Sequence, residues 1–505
     1  MPLKPALKIA VLTAALALPA WQVPARAEAR ACYACGQFYP ADRQELRDLM
    51  NRFLAPEKGE PAVHAEAALV PHAGYTFSGE AAGKVYRRLA DSYKTVIILG
   101  TAHASAGQGA LLTSEDFETP LGTVAADTET IAGLLKNRLF KNLPRAHEKE
   151  HSIEVQLPFL QTILKDFRII PVALGDLDTD AAVKTGRALA EAVDTETTLC
   201  VISADLSHYP DKNTAELSDL TILKALEFMD PHYFALTDRI IMAKELKGLS
   251  CTTCGKAALE AGLAYAAAAG ANRAQQVAYA NSAQSQYGSA SSVVGYGGML
   301  FLKTPNAPAA AISLTKQQKR HLLKLAREAL HSGITGARFQ IPHTSDPVLN
   351  LPAAVFVTLT KKGTLRGCLG TVELHGALND AVAYYARAAA TSDYRFAPLA
   401  PKEENDVTIE ISILSKPAVA AGWRAIKPAV HGVIVVSGGK SGVFLPQVWE
   451  KLKTREEFLS ELCTQKAGLA ANCYTAKDTT LLTFTASHFS ENDSFNSEGR
   501  FLHPD

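Results

Sequence analysis

Between about Phe38 and Leu302, short apolar runs alternate with longer helical stretches, a pattern that predicts an α/β layer fold. Four runs read as buried strands: Ala67 to Val70, Thr95 to Leu99, Arg168 to Leu174 and Leu199 to Ala204. Each is rich in Val, Ile or Leu, as strands covered on both faces are. Lys256 to Ala269 reads as an Ala-rich helix. Lys303 to Ala311 (KTPNAPAAA) is Pro- and Ala-rich and breaks the pattern. Beyond it, Thr315 to about His331 predicts a helix whose core face carries Leu322, Leu323, Leu325, Ala329 and Leu330. The signal then turns antiparallel. Ala354 to Leu359 and Thr364 to Val372 flank a hairpin turn at Lys361-Lys362-Gly363, and Val407, Ile409, Ile411 and Ile413 alternate with polar residues. Gly432 to Val436 and Gly442 to Leu445 flank a second turn at Ser437 to Lys440. The second half is therefore expected to be α+β. The boundaries drawn are a leader over 1–27, an α/β domain over 28–303, a linker over 304–313 and an α+β domain over 314–505.

Composition narrows the class. The chain has 505 residues, 47% hydrophobic and 20% charged, which supplies apolar material for packed cores and argues against disorder. Lys plus Arg and Asp plus Glu each number 51, so there is none of the basic excess that phosphate neutralisation favours, and no nucleic-acid partner is expected. At the amino terminus Lys4 and Lys8 precede an apolar stretch from Ile9 to Val23, and Ala25-Arg26-Ala27 offers small residues to a signal peptidase. This predicts export to the periplasm or outside, the alternative being that the same segment stays as a membrane anchor. Eight cysteines then have to be placed. Cys32 and Cys35, and Cys251 and Cys254, have C-x-x-C spacing, but the pairs lie too far apart for a compact zinc knuckle. An exported chain permits disulfides. Cys32, Cys35 and Cys251 are the candidates, and Cys200, Cys463 and Cys473 read as structural.

Chemistry gathers at the strand ends. His72 follows the first run, His103 the second, and Asp205 with His208 the fourth. Ligands of open α/β sheets bind beyond the carboxyl ends of the strands. Cys254 precedes the Lys256 helix, where the helix amino terminus biases a thiol towards thiolate. Imidazoles plus one anionic ligand suit zinc, iron or copper. The bland readings stay open: a hydrogen-bonded strand-end histidine, an Asp205 that caps a turn, a Cys254 paired with Cys251.

Pro71-His72-Ala73-Gly74-Tyr75 (PHAGYTFSG), Leu99 to His103 (LGTAH), Glu150 to Glu154 (EHSIE, continuing VQLPFL), Ser203 to Tyr209 (SADLSHY) and Thr253-Cys254-Gly255 run in the order of the Memo family. Over about half the chain it resembles that family, and the resemblance implies the fold of class III extradiol dioxygenases. It also implies metal ligands at His72, His103 and Cys254, with Asp205 and His208 beside the pocket. Two departures stand out. Ala104 occupies the place of a second histidine, and the expected A-G-S-F-Y-P-like signature reads Cys35-Gly36-Gln37-Phe38-Tyr39-Pro40. On this reading His208 moves a proton, with Glu154 or Asp205 orienting it, in a metal-dependent redox enzyme of the oxidase or dioxygenase kind. A non-catalytic module for a peptide or small ligand, and a copper carrier, are the alternatives.

In the second half, Leu365 to Thr371 (LRGCLGT), Tyr394 to Leu399 (YRFAPL), Ile409 to Ser412 (IEIS) and Gly442 to Gln447 (GVFLPQ) resemble the AMMECR family. The departures are at Ala390-Thr391-Ser392 and near Cys473. Cys368 beside Arg366 is a candidate nucleophile or a small core residue. Arg366, Asp393 and Arg395 could bind an anionic ligand or form an ion-pair network. The two modules together resemble proteins B and A of the AmmeMemoRadiSam system, which accompany a radical SAM protein. That implied partner conflicts with export, since radical SAM chemistry is expected in the reducing cytoplasm.

Overall fold

The computed structural model describes residues 29–57, 59, 61–103, 107–305, 307 and 310–493. The leader expected over 1–27 and the departure at Ala104 lie outside the described residues. The first half is built on a ten-stranded mixed sheet. Six of its strands matter for the site: β1 (Ala67–Val70), β2 (Thr95–Thr101), β3 (Arg168–Leu174), β4 (Thr198–Ser203), β5 (Arg273–Asn281) and β6 (Gly295–Leu302). They lie in the spatial order β3-β2-β4-β1-β6-β5. The first four run parallel, while β6 is antiparallel to both β1 and β5.

The apolar runs form strands here because side chains alternate across the sheet and both faces are covered. Leu69, Ile97, Leu99, Cys200 and Ile202 join one buried layer, and Ala68, Val70, Val96, Ile98 and Val201 the other. The parallel register pairs Val70 with Ser203 and Leu99 with Ile202, so the carboxyl ends of β1, β2 and β4 finish on one edge. That alignment is what brings separate sequence motifs to one place.

The second half is α+β. A four-stranded antiparallel sheet of β7 (Ala354–Lys361), β8 (Thr364–Gly370), β9 (Val407–Leu414) and β10 (Ala486–Ser490) has the order β8-β7-β9-β10. Its apolar face, with Val355, Val357, Ile409 and Ile411, packs on the helix Lys316–Thr335 and the helix Leu378–Thr391. The first of these starts at Thr315, whose side chain and Gln318 cap each other's backbone amides, and ends one turn later than expected, at left-handed Gly336. A second four-stranded sheet holds the other predicted hairpin, Gly432–Ser437 with Lys440–Phe444.

Cys32 bonds Cys35 and Cys463 bonds Cys473, whereas Cys200, Cys251, Cys254 and Cys368 are free. The expectation of a disulfide at Cys251 is thereby corrected: its thiol is partly buried and unpaired. Among the described residues no helix is long and apolar enough to cross a membrane.

Candidate metal centre

The site lies beyond the aligned strand ends. His72 follows β1, His103 follows β2, Asp205 follows β4, and Cys254 sits two residues before the helix α2 (Lys256–Ala268). A fifth element completes it, the single-turn helix α1 (His151–Glu154). It can press on the end of β2 because Gly100 has no side chain: a Cβ there would stand 2.4 Å from Ser152 Oγ. Ser152 Oγ instead accepts from Thr101 N at 3.0 Å, which ties the two elements together.

Donor atoms fall in two triplets that share His72: His72, His103 and His151, and His72, Asp205 and Cys254. Within each triplet they lie within 4.8 Å of one another, a spacing that could hold a metal ion. The expected trio of His72, His103 and Cys254 is thus divided between them. His151 is a donor that sequence reasoning quoted within its motif and left unassigned. It stacks on His103 at 4.8 Å and stands edge-on to His72 at 5.4 Å between ring centroids.

The hydrogen bonds around Ser203 decide the state of His72. Ser203 Oγ donates to Ser152 O at 2.6 Å and accepts from Gln156 Nε2 at 2.9 Å. Its proton is therefore committed, and His72 Nδ1, 3.1 Å away, must be the donor to it. Nε2 is left as the acceptor, and the Cys254 thiol donates to it at 3.0 Å. Burial, with the charge of His103 adding, pushes the His72 imidazole down to about 3, so it is neutral, as a ligand must be. Burial likewise pushes His151 down to about 4.

His103 differs. Burial works against its charge, but Glu150 outweighs it and holds the imidazole above its usual value. Glu150 accepts from His103 Nδ1 at 3.0 Å and from His103 N at 2.8 Å, and it caps α1 through Ser152 N. Burial favours the protonated form of Glu150, yet the bond from His103 holds its carboxyl down at about 2. Glu150 is a second participant that the sequence did not single out.

Asp205 is buried, and its Oδ1 accepts the backbone amides of His72 at 2.7 Å and Ala73 at 3.2 Å. Burial raises its carboxyl in spite of those bonds. Cys254 reverses one expectation. Burial, with Asp205 adding, pushes its thiol well above the ordinary range, opposite to the direction expected of a helix amino terminus. A buried thiol with an anion for a neighbour stays protonated until a cation joins it, so this donor set fits a soft or borderline metal. His208 ends the same loop, with Nδ1 donating to Leu206 O at 2.9 Å. Tyr209 beside it has φ +70°, uncommon for a non-glycine residue and a form of strain that collects at functional loops. Buried Asp219 holds this loop from below by accepting from Ser207 N at 2.8 Å, and burial pushes its carboxyl up to about 7.

Glu154 does not join them, which corrects the expectation that it orients His208. Its buried carboxylate accepts from Tyr39 Oη at 2.7 Å, Ala34 N at 2.8 Å and Tyr33 N at 3.0 Å, and pairs with Arg30. All its capacity is spent on the amino-terminal segment. In the second half, Arg395 is matched by Asp393 at 2.7 Å and Arg366 by Glu403 at 3.0 Å. The ion-pair network that the sequence offered as one reading is therefore present. Burial raises the Cys368 thiol, so it lacks the depressed value of an activated nucleophile. The glycine before it answers to packing, because a Cβ on Gly367 would stand 2.2 Å from Ala389 O.

Comparison with known proteins agrees with this division. A family model described as Memo-like protein matches residues 30–300, and a model described as AMMECR1 matches residues 323–489. A MEMO1 family protein of Aquifex aeolicus is 36% identical over 271 residues, covering 53% of this chain and 97% of the relative. One of Archaeoglobus fulgidus is 33% identical over 269 residues, with the same coverage. The crystal structure of an uncharacterised protein from Pyrococcus horikoshii is 34% identical over 36% of this chain and 94% of its own, with a TM-score of 0.33. With a matching model over more than half its length and relatives spanned almost end to end, the chain belongs to the Memo-like family and carries an AMMECR1 domain fused behind it.

Proposed function

We propose that the first domain binds a transition metal, iron or copper, and uses it in redox chemistry. The observation that carries this reading is the Nε2 lone pair of His72 meeting Cys254 Sγ at 3.0 Å, two ligand-type atoms together, with the opposite nitrogen pinned by Ser203. A ligating imidazole needs that pinning, because the bond at one nitrogen fixes the tautomer and aims the other. His72 and Cys254 form the core of the ligand set, with His103, His151 and Asp205 near enough to complete it. When bound, the metal supplies the charge that keeps Cys254 as thiolate and a centre for one-electron exchange. Glu150 keeps His103 oriented and able to hold a proton beside the site. His208 is positioned to pass a proton along the loop, its Nδ1 anchored on Leu206 O.

Export is part of the proposal. The disulfides Cys32–Cys35 and Cys463–Cys473 suit an oxidising compartment. A radical SAM protein remains a partner by resemblance alone. The test is metal analysis of the purified protein after incubation with iron or copper, beside Cys254→Ser, followed by oxygen consumption compared with His103→Ala. Stoichiometric metal lost in Cys254→Ser, with turnover lost in His103→Ala, is expected. Protein that carries and gains no metal overturns the reading, and retained metal with no turnover makes the chain a carrier.

A further inference from the structure

Residues 30–39 form a strap that is anchored on Asp116, Glu118 and His147 at its start and on the site's supports beyond. Arg30 donates to Glu150 O at 2.9 Å and pairs with Glu154, and Tyr33 N, Ala34 N and Tyr39 Oη also end on Glu154. Phe38 stacks on the His151 ring at 4.3 Å between centroids, and its carbonyl accepts from Tyr75 N at 2.8 Å. Glu154 and His151 are the two ends of the single-turn helix α1. One segment thus grips the helix at its far end and covers the site's histidine at the near end. The Cys32–Cys35 disulfide closes the strap between those contacts, with both cysteines half-buried. Cys32 Sγ lies 3.3 Å from Glu154 Oε1 and 3.3 Å from Tyr39 Oη.

We infer that Cys32–Cys35 is a thiol–disulfide exchange site for a dithiol electron donor, and that its redox state sets how firmly Phe38 covers His151. The donor's thiolate attacks one sulfur and the S–S bond breaks. Its electron pair leaves on the other sulfur, which takes a proton from solvent. The donor's second thiol then resolves the mixed disulfide, so the donor is oxidised to its disulfide and the protein holds two thiols. Reduction acts on the strap in two ways. It releases the short cross-linked loop that presents Tyr33 N and Ala34 N to Glu154. It also creates an S–H donor beside a carboxylate whose oxygens are already occupied, which competes with Tyr39 and the amides. Both loosen the grip on Glu154, and Phe38 follows because it is continuous with that segment. The inference requires His151 and Glu154 where they stand but no bound metal, so it stands or falls apart from the proposed function.

The test uses the metal-free full chain, treated or not with dithiothreitol at neutral pH. Alkylation of Cys32 and Cys35, amide exchange over 30–39 and 150–154, and diethylpyrocarbonate modification of His151 are read by mass spectrometry. Reduction is expected to expose both thiols, speed exchange in both segments and raise His151 modification by about threefold or more, as local opening does. A Cys32→Ser, Cys35→Ser double variant should behave as the reduced protein without donor. Phe38→Ala should expose His151 with the disulfide intact. A disulfide that resists the dithiol in the folded chain overturns the inference. So does reduction that leaves exchange and His151 modification unchanged, or a Phe38→Ala variant whose His151 stays protected.

Discussion

In the first domain Cys254 bonds the Nε2 of His72, and neighbouring Asp205 is held by two backbone amides. In the second domain Cys368 donates its amide to Asp393, whose charge Arg395 already meets, while Arg366 is spent on Glu403. Both cysteines are partly buried and both thiols are raised by burial. They differ in what surrounds them. Around Cys254, ligand-type atoms of His72 and Asp205 converge, and His103 and His151 stand in the neighbouring triplet. Around Cys368, Asp393 is paired with Arg395 and Glu403 with Arg366, an arrangement that serves the fold. Conspicuous motifs in two fused domains therefore carry different weight, and what surrounds each thiol tells them apart.

The largest effect that would break this comparison lies in metal retention. Cys254→Ser and His72→Ala should each lower bound metal by at least about tenfold, whereas Cys368→Ser should leave it unchanged, measured by elemental analysis after dialysis. Equal losses in all three would erase the distinction. Ser203→Ala comes next. It removes the acceptor that fixes the His72 tautomer and should weaken metal affinity by about 10-fold to 100-fold in a folded protein, read by competition with a chelator.

A smaller effect is expected in thiol reactivity. With its thiol raised, Cys368 should alkylate slowly at neutral pH in the folded chain, and its rate should climb only above the ordinary thiol value of about 8.5, followed by peptide mapping. Fast labelling at pH 7 would restore it as a nucleophile. The smallest effect concerns the Asp393–Arg395 pair. The Arg395 bond holds the Asp393 carboxyl down at about 2. Because the folded value is depressed, this contribution is full above the unfolded value of about 3.9 and is lost as pH falls through about 2. Arg395→Ala should therefore cost about 1 kcal/mol at pH 7 and nothing near pH 2, measured by urea unfolding across pH.

Much of the architecture is legible along the chain. Ala67 to Val70 and Arg168 to Leu174 are found with the expected ends, because a strand buried on both faces is written as an unbroken apolar run. The antiparallel second half is legible through strict alternation and its two turns. Strand-end chemistry is legible too, since His72, His103 and Asp205 follow buried runs. His151 is less so, because a four-residue helix is too short to show a 3.6-residue period.

Local order along the chain determines which residues form strands and helices and which reactive side chains fall at their ends, because both depend on neighbours within a few positions. Contacts between distant segments decide the rest. Glu154 is claimed by residues 120 and more positions earlier, Ser203 fixes a histidine 131 positions away, and burial raises the thiol of Cys254. Proton position, charge balance and desolvation depend on everything that packs around an atom, and that neighbourhood exists only once the chain has folded.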